Sequence, residues 1–209
     1  MTKVLIIDSA ATGEASVSRK LTSEFAQRLS SHDPSAIVTR RDVGAAPVPH
    51  LTEATVGAIR GGEAVSDEAR EAIALSDRLI AELKEADVIV MGAPMYNFGI
   101  PSTLKAWFDH VLRARITFRY TAAGSEGLVK GKRAIVIESR AGLYSEGPAA
   151  AMDGQEPHLR TLLGFIGIED VTFVRAERLA FGPDAASAAI EEAARKLAGL
   201  ATTDWALVA

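Results

Sequence analysis

The stretch "VIVMGAPMYNFGIP", Val88 to Pro101, decides how this chain is read. Val88 to Met91 is apolar without interruption, the pattern of a strand buried on both faces. The exit from that strand carries Met95, Tyr96, Asn97 and Phe98 before it reaches Gly99-Ile100-Pro101. Loops that follow strands are normally built from Gly, Pro, Asn and Asp, which satisfy turn geometry cheaply. Two aromatic rings and a thioether displayed there imply a partner that is flat and apolar.

Working outward, Val4 to Ile7 is a second continuous apolar run, followed by Val17, Leu21, Phe25 and Leu29 at helical spacing. Ile37 to Thr39 suggests another strand, and a Pro- and Gly-punctuated stretch runs from Gly44 to Gly62. A helix then shows Ala72, Leu75, Leu79, Ile80 and Leu83 on one face. After Met91, Ser102 is placed to cap a helix whose inner stripe is Leu104, Trp107, Phe108, Val111 and Leu112. Ala134–Ile137 and Val171–Val174 read as strands, Leu159–Ile166 as a short helix, and Pro183 as the start of a last helix. Strand and helix alternate throughout, which favours an α/β fold with a parallel sheet and helices on both faces. A single domain over residues 1–209 is expected, a doubly wound five-stranded sheet in the flavodoxin-like order 2-1-3-4-5.

The bulk composition narrows the function classes. With 209 residues and 48% hydrophobic content, the chain can bury one core. A formal net charge of -4 argues against nucleic acid or an acidic membrane surface as partner. The absence of cysteine excludes disulfides, thiolate zinc sites and cysteine nucleophiles. There is no targeting pattern and no run near the roughly 20 apolar residues that cross a bilayer, so a cytoplasmic protein is expected. His32, His50, His110 and His158 lack metal-ligand spacing, and no metal is expected.

In the expected order, the loops after the first, third and fourth strands converge. The first, from Asp8 to Arg19, brings the hydroxyls of Ser9, Ser16 and Ser18 and the amides around Val17 to a helix start. Those donors and the helix dipole suit a phosphate monoester. It has one glycine where a dinucleotide fingerprint needs three. Gly127-Leu128-Val129-Lys130-Gly131-Lys132 is too short for a phosphate loop, lacks its Ser or Thr, and precedes a strand. The phosphate belongs to a mononucleotide. Its ring system would reach Met95, Tyr96 and Phe98, with Asn97 hydrogen-bonding its heteroatoms. Ser139, Arg140, Ala141 and Gly142, after the fourth strand, would hold the polar edge. A flat heterocycle with one phosphate is most simply FMN.

At these loops the chain resembles the FMN-dependent NADH:quinone oxidoreductases, the azoreductases of the flavodoxin-like superfamily. Ser16 and Ser18, "PMYNF" at Pro94–Phe98 and "LKAWFDHVLRARITFRYT" from Leu104 carry the resemblance. "GLVKGKRAIVIESRAG" from Gly127 and "LLGFIGIEDVTFV" from Leu162 extend it. The resemblance implies a homodimer with FMN near the subunit interface. It also implies reduction of quinones by NADH or NADPH and reductive cleavage of aromatic azo bonds. The flavin contacts it carries over are Ser16–Ser18, Met95–Phe98 and Ser139–Gly142. The chain departs from the family pattern at Ala10, where Ser is usual, and at Ala141, where Gly is usual.

A nicotinamide stacked on the flavin would give hydride to N5, and one face serving donor and acceptor in turn implies ping-pong kinetics. Phe118, Tyr120, Tyr144 and Phe165 are expected to line that face, some from the partner subunit. Ser145 is one residue out of frame for a hydrolase elbow. The rival is a flavodoxin-type electron carrier without NAD(P)H turnover, a class that is usually far more acidic.

Overall fold

The computed structural model describes residues 1–203; the last six residues of the expected domain, 204–209, lie outside them. In chain order the first half contains β1 (Lys3–Asp8), α1 (Val17–His32), β2 (Ile37–Asp42), α2 (Glu53–Ile59), α3 (Asp67–Glu85) and β3 (Val88–Pro94). The second half contains α4 (Ser102–Val111), β4 (Phe118–Thr121), β5 (Gly124–Gly127), β6 (Arg133–Ser139), α5 (Glu156–Ile166), β7 (Asp170–Ala176) and α6 (Pro183–Ala201).

Strands β2, β1, β3, β6 and β7 lie side by side in that order, all parallel. Counting only these strands, the order is the expected 2-1-3-4-5. Each central strand sends alternate side chains to opposite faces, so an uninterrupted apolar run means that both faces are covered. Leu5, Ile7, Ile89, Met91, Ala134 and Val136 join Leu79, Leu83, Trp107, Phe108 and Leu163 from α3, α4 and α5 in one core. Val4, Ile6, Val88, Val90, Ile135 and Ile137 join Leu21, Phe25, Leu29 and Leu197 from α1 and α6 in the other. Every residue of β3 is buried. The edge strands carry charge instead: Arg40 and Arg41 on β2 pair with Asp8 and Glu82, and Arg160 covers Phe173 of β7 at 4.3 Å.

Three local features differ from the sequence reading. The Gly44–Gly62 stretch contains α2, whose seven residues are too few to show a period and are interrupted by Gly57. Its start is fixed by the Thr52 N–H donating to the Thr55 hydroxyl at 2.9 Å. Ser102 does not cap α4: Pro101 occupies the capping position, and Ser102 is already the first helical residue. The third feature is an antiparallel hairpin of two four-residue strands, β4 and β5, between α4 and β6.

That hairpin is fastened to the end of α5. Val129 N–H donates to the Ile166 carbonyl at 2.8 Å, and Gly127 lies against the Gly167 backbone. Helices of such a fold run antiparallel to the strands, so the end of α5, which feeds β7, lies at the amino ends of the sheet. A Cβ on Gly127 would sit 2.1 Å from Gly167 N, an overlap that only backbone movement relieves. Gly127→Ala is therefore expected to destabilise the chain by about 2 kcal/mol or more, read as a lower urea midpoint.

Candidate functional site

The loop after β1 is built around the start of α1. Ser16 is the helix N-cap, its hydroxyl accepting the Arg19 N–H at 3.3 Å and lying 3.1 Å from the Ser18 hydroxyl. Both serines are buried. The Val17 and Ser18 amides, whose intrahelical partners would lie before the helix begins, have no hydrogen-bond partner among the described residues. Ser9 is different. Its hydroxyl donates to the Gly92 carbonyl of β3 at 2.7 Å and is fully buried, so the expectation that it contacts a cofactor is revised: its side chain ties β1 to β3. Ala10 is buried too, and Gly44 approaches it so closely that a Cβ there would lie 2.2 Å from its carbonyl oxygen.

The loop after β3 closes on itself as a tight turn. Tyr96 and Gly99 exchange backbone hydrogen bonds at 3.0 and 3.1 Å, leaving Asn97 and Phe98 between them with φ of 47° and 71°. This is the left-handed region that non-glycine residues seldom adopt. The Asn97 amide is turned out of the turn without a partner among the described residues. Phe98 remains 45% exposed, while Tyr96 is spent on a tie: its hydroxyl accepts the Ala11 N–H at 3.1 Å. Met95, half-buried, donates its N–H to the Ser139 carbonyl at 2.9 Å. One bond to a side-chain hydroxyl and one between backbones thus join the three loops.

The loop after β6 begins with Ser139, a buried residue whose hydroxyl has no partner among the described residues. Arg140 does not fit the role expected of it. Its side chain is fully buried beneath the loop, 2.7 Å from Glu138, 3.1 Å from Asp153 and 3.2 Å from Glu177, with Nε donating to Gln155 at 2.9 Å. Its N–H is used as well, donating to the Ala176 carbonyl. Arg140 is neither a solvated charge nor a side-chain contact of the crevice. Ala141 is exposed, and Tyr144 lies over Gly142 while meeting Phe98 edge-on, ring centroids 6.1 Å apart.

Of the four aromatic residues expected on one face, only Tyr144 stands at this crevice. Phe118 packs against Phe165 at 4.5 Å and Tyr120 at 5.5 Å, at the amino ends of the strands. Strand β6 separates the two places by roughly 20 Å. The sequence reading missed Glu138, Asp153, Gln155 and Glu177. One signal was present: Glu138 interrupts the apolar run of β6 at a position where both faces are covered.

The donors left free fit FMN. Amides and hydroxyls converge at the start of α1 with no acidic side chain ionically unpaired among the buried groups: Asp8 meets Arg40 at 3.0 Å and Asp42 meets Arg19 at 2.6 Å. Burial raises the Asp8 carboxyl above its ordinary range, against the Thr22 hydroxyl and the arginines that lower it. Because both arginines are already paired, an anion there would be held by backbone dipoles and hydroxyls. The Asn97 amide and the Ser139 hydroxyl offer donors for the edge of a planar ring, beside the exposed Phe98.

Residues 2–200 match the family described as having a flavodoxin-like fold. The chain is 53% identical over 203 residues to an FMN-dependent NADH:quinone oxidoreductase of Hyphomonas neptunium, covering 97% of each. It is 49% identical over 202 residues to a protein of the same name from Azotobacter vinelandii, covering 96% of this chain and all of that one. Among solved structures, an FMN-dependent NADH-azoreductase from Bacillus anthracis in complex with FMN superposes with a TM-score of 0.87 at 27% identity, covering 97% of this chain and 98% of that one. No helix among the described residues is long and apolar enough to cross a membrane.

The buried cluster beneath the third loop has a pH signature. Neither oxygen of Glu138 is hydrogen-bonded: the 2.7 Å approach of Arg140 is too far off line to count as one. Burial pushes its carboxyl up to about 8, with Glu156 and Asp153 adding negative charge, against Arg140, which lowers it; Arg175 stands 3.7 Å from its other oxygen. The folded chain therefore holds this proton more tightly than the unfolded one. Its stabilising contribution is complete below the ordinary value of 4.5 and is lost as pH rises through about 8. Between about pH 6 and pH 9 the melting temperature of the wild type should fall more than that of Glu138→Gln, in matched thermal melts.

Proposed function

The chain belongs to the FMN-dependent NADH:quinone oxidoreductase family of the flavodoxin-like fold, and from that premise we propose that it reduces quinones by two electrons and cleaves aromatic azo bonds to amines, with donor and acceptor taking turns in one crevice. It is an oxidoreductase that works with FMN and NADH. The observation that carries the finer reading is the set of unpartnered donors at the start of α1, facing two loops that present Phe98 and Tyr144.

Bound FMN supplies the redox chemistry, so the crevice needs no side-chain nucleophile. The Val17 and Ser18 amides and the Ser16 and Ser18 hydroxyls take the phosphate. Asn97 N–H, the Ser139 hydroxyl and the backbone of Ala141 and Gly142 orient the polar edge of the ring. Met95, Tyr96 and Phe98 exclude water along its apolar side. Phe98 and Tyr144, in edge contact, form one wall of the crevice, and quinones, azo compounds and nicotinamide are all flat enough to lie beside it.

Phe118, Tyr120 and Phe165 reach such a wall only from a second copy of the chain, since their own crevice lies at the opposite end of the sheet. A homodimer is therefore part of the proposal. The 75% exposure of Tyr120 supports it, because a large ring on a hairpin is otherwise left in water. We place the protein in the cytoplasm, where NADH is available.

The test is stopped-flow reduction of the FMN-loaded protein by NADH, followed by reoxidation with benzoquinone. Both phases are expected, and FMN binding without turnover would leave the electron-carrier reading instead. Initial rates with both substrates varied should give parallel double-reciprocal lines; intersecting lines would overturn the shared crevice. Ser16→Ala or Ser18→Ala should weaken FMN binding by roughly tenfold, the loss of a hydrogen bond to a charged group, measured by fluorescence titration. Tyr120→Ala should raise the acceptor KM more than it slows reduction by NADH.

A further inference from the structure

Glu177, one residue beyond β7, is nine-tenths buried and makes bonds that the reaction does not explain. Its Oε1 accepts the Tyr144 N–H at 2.8 Å and the Ser145 N–H at 3.0 Å, and its Oε2 accepts the Ser145 hydroxyl. Arg140 Nη1 lies 3.2 Å from Oε1 on the protein side. Burial by itself would raise this carboxyl, but the bonds from Ser145, Tyr144 and Arg140 outweigh it and hold it below the ordinary range. Glu177 is thus a fixed anion shared between Arg140 and one short segment, Tyr144–Ser145.

That segment carries the crevice wall. A Cβ on Gly142 would lie 2.9 Å from the Tyr144 ring, so the ring rests on the Gly142 backbone, and its edge contact with Phe98 joins the two rings into one wall of the crevice. The backbone from which this ring hangs is held by Glu177.

We infer that Glu177 is a positioning residue for acceptor choice: by anchoring the Tyr144 and Ser145 amides it holds the Tyr144 ring against Phe98, and so fixes the wall beside which the acceptor lies. The inference rests on the reading of this crevice as the acceptor site. A fixed wall packs closely against a single-ring quinone. Releasing the Tyr144 segment loosens that wall, which costs the small quinone much of its packing and costs a larger diaryl azo compound less. Ser145, which matches no hydrolase pattern, becomes a partner of the anchor.

The test uses the full-length, FMN-loaded protein and its Glu177→Ala, Glu177→Gln, Ser145→Ala and Tyr144→Ala variants. Glu177→Ala should raise the KM for benzoquinone about tenfold and shift the quinone-to-azo ratio of kcat/KM toward the azo dye. The limiting rate of reduction by saturating NADH should stay within about twofold. Glu177→Gln retains an oxygen for both amides and should recover most of the KM. Tyr144→Ala should reproduce the shift, and combining it with Glu177→Ala should add nothing further. An unchanged KM, additive effects, or an equal fall in the NADH half-reaction would overturn the inference. Should Glu177→Ala not fold, Ser145→Ala decides: a shift of about two- to threefold in the same direction supports the anchor, and none overturns it.

Hydrogen exchange at the Tyr144 and Ser145 amides, measured on the FMN-free chain, reads the anchor without any activity. Protection there should be lost in Glu177→Ala and kept in Glu177→Gln; protection unaffected by Glu177→Ala would overturn the inference. A wild type that takes up no FMN would defeat the proposed function while leaving this measurement intact.

Discussion

A guanidinium removed from water must have its charge answered by groups fixed around it, or the structure around it rearranges. Arg140 is in that position, and the groups that answer it come from separate parts of the chain. Glu138 precedes it on β6, Asp153 and Gln155 stand at the entrance to α5, and Glu177 follows β7. Gln155 passes the constraint on by donating to the Ala93 carbonyl near the end of β3 at 2.8 Å. None of these segments can be placed independently of the others. Such a cluster contributes less to net stability than to uniqueness of arrangement, because its desolvation offsets much of its attraction. Glu138, which lies between Arg140 and, 3.7 Å away, Arg175, is the carboxyl of this cluster that burial pushes up, to about 8.

Above this fixed floor the second loop stores strain. Two successive non-glycine residues with positive φ cost on the order of 1–3 kcal/mol each. The surrounding structure holds them there through the Tyr96–Gly99 bonds and through the Phe98 carbonyl, which accepts the Gly154 N–H at 2.9 Å. Gly154 is close enough that a Cβ there would lie 2.9 Å from the same oxygen. The result is an Asn97 amide turned outward and an aromatic ring left at the surface. Strain of this kind at the carboxyl end of a central strand is an observation that itself points to a binding site, separately from any resemblance.

The sheet was legible in the sequence because central parallel strands have no wet face. Val4–Ile7, Val88–Met91 and Ala134–Ile137 could be nothing else in a chain where helical periods separate them. The hairpin was not legible, since four residues per strand carry no period and most of them are exposed. The site divided along the same line. Ser16, Val17 and Ser18 were readable because helix starts have a local grammar of hydroxyls and free amides. Ser9 misled because a serine beside a strand end looks the same whether its hydroxyl faces a ligand or the neighbouring strand. Arg140 and Glu177, 37 residues apart, are joined only by the β6–β7 crossover, and no local pattern announces that meeting.

The distance between Tyr144 and the Phe118–Tyr120–Phe165 cluster bears on how substrate choice can vary. Rings at the two ends of one strand cannot approach each other by changing rotamers, so a face lined by both would, in the homodimer we propose, have walls from two chains. Those walls differ in stiffness. Tyr144 hangs from a backbone tied to a buried anion, whereas Tyr120 projects from β4 of an exposed two-stranded hairpin, with Arg119 and Glu126 paired across the surface beside it. A stiff wall discriminates by excluding shapes; a compliant one discriminates little but follows whatever the stiff wall admits. Quinones and azo compounds share flatness and differ in length, so a slot with one rigid side and one yielding side can accept both while still ranking them. Replacements on the hairpin should then tune affinity gradually, and changes around Tyr144 should alter which substrates fit at all.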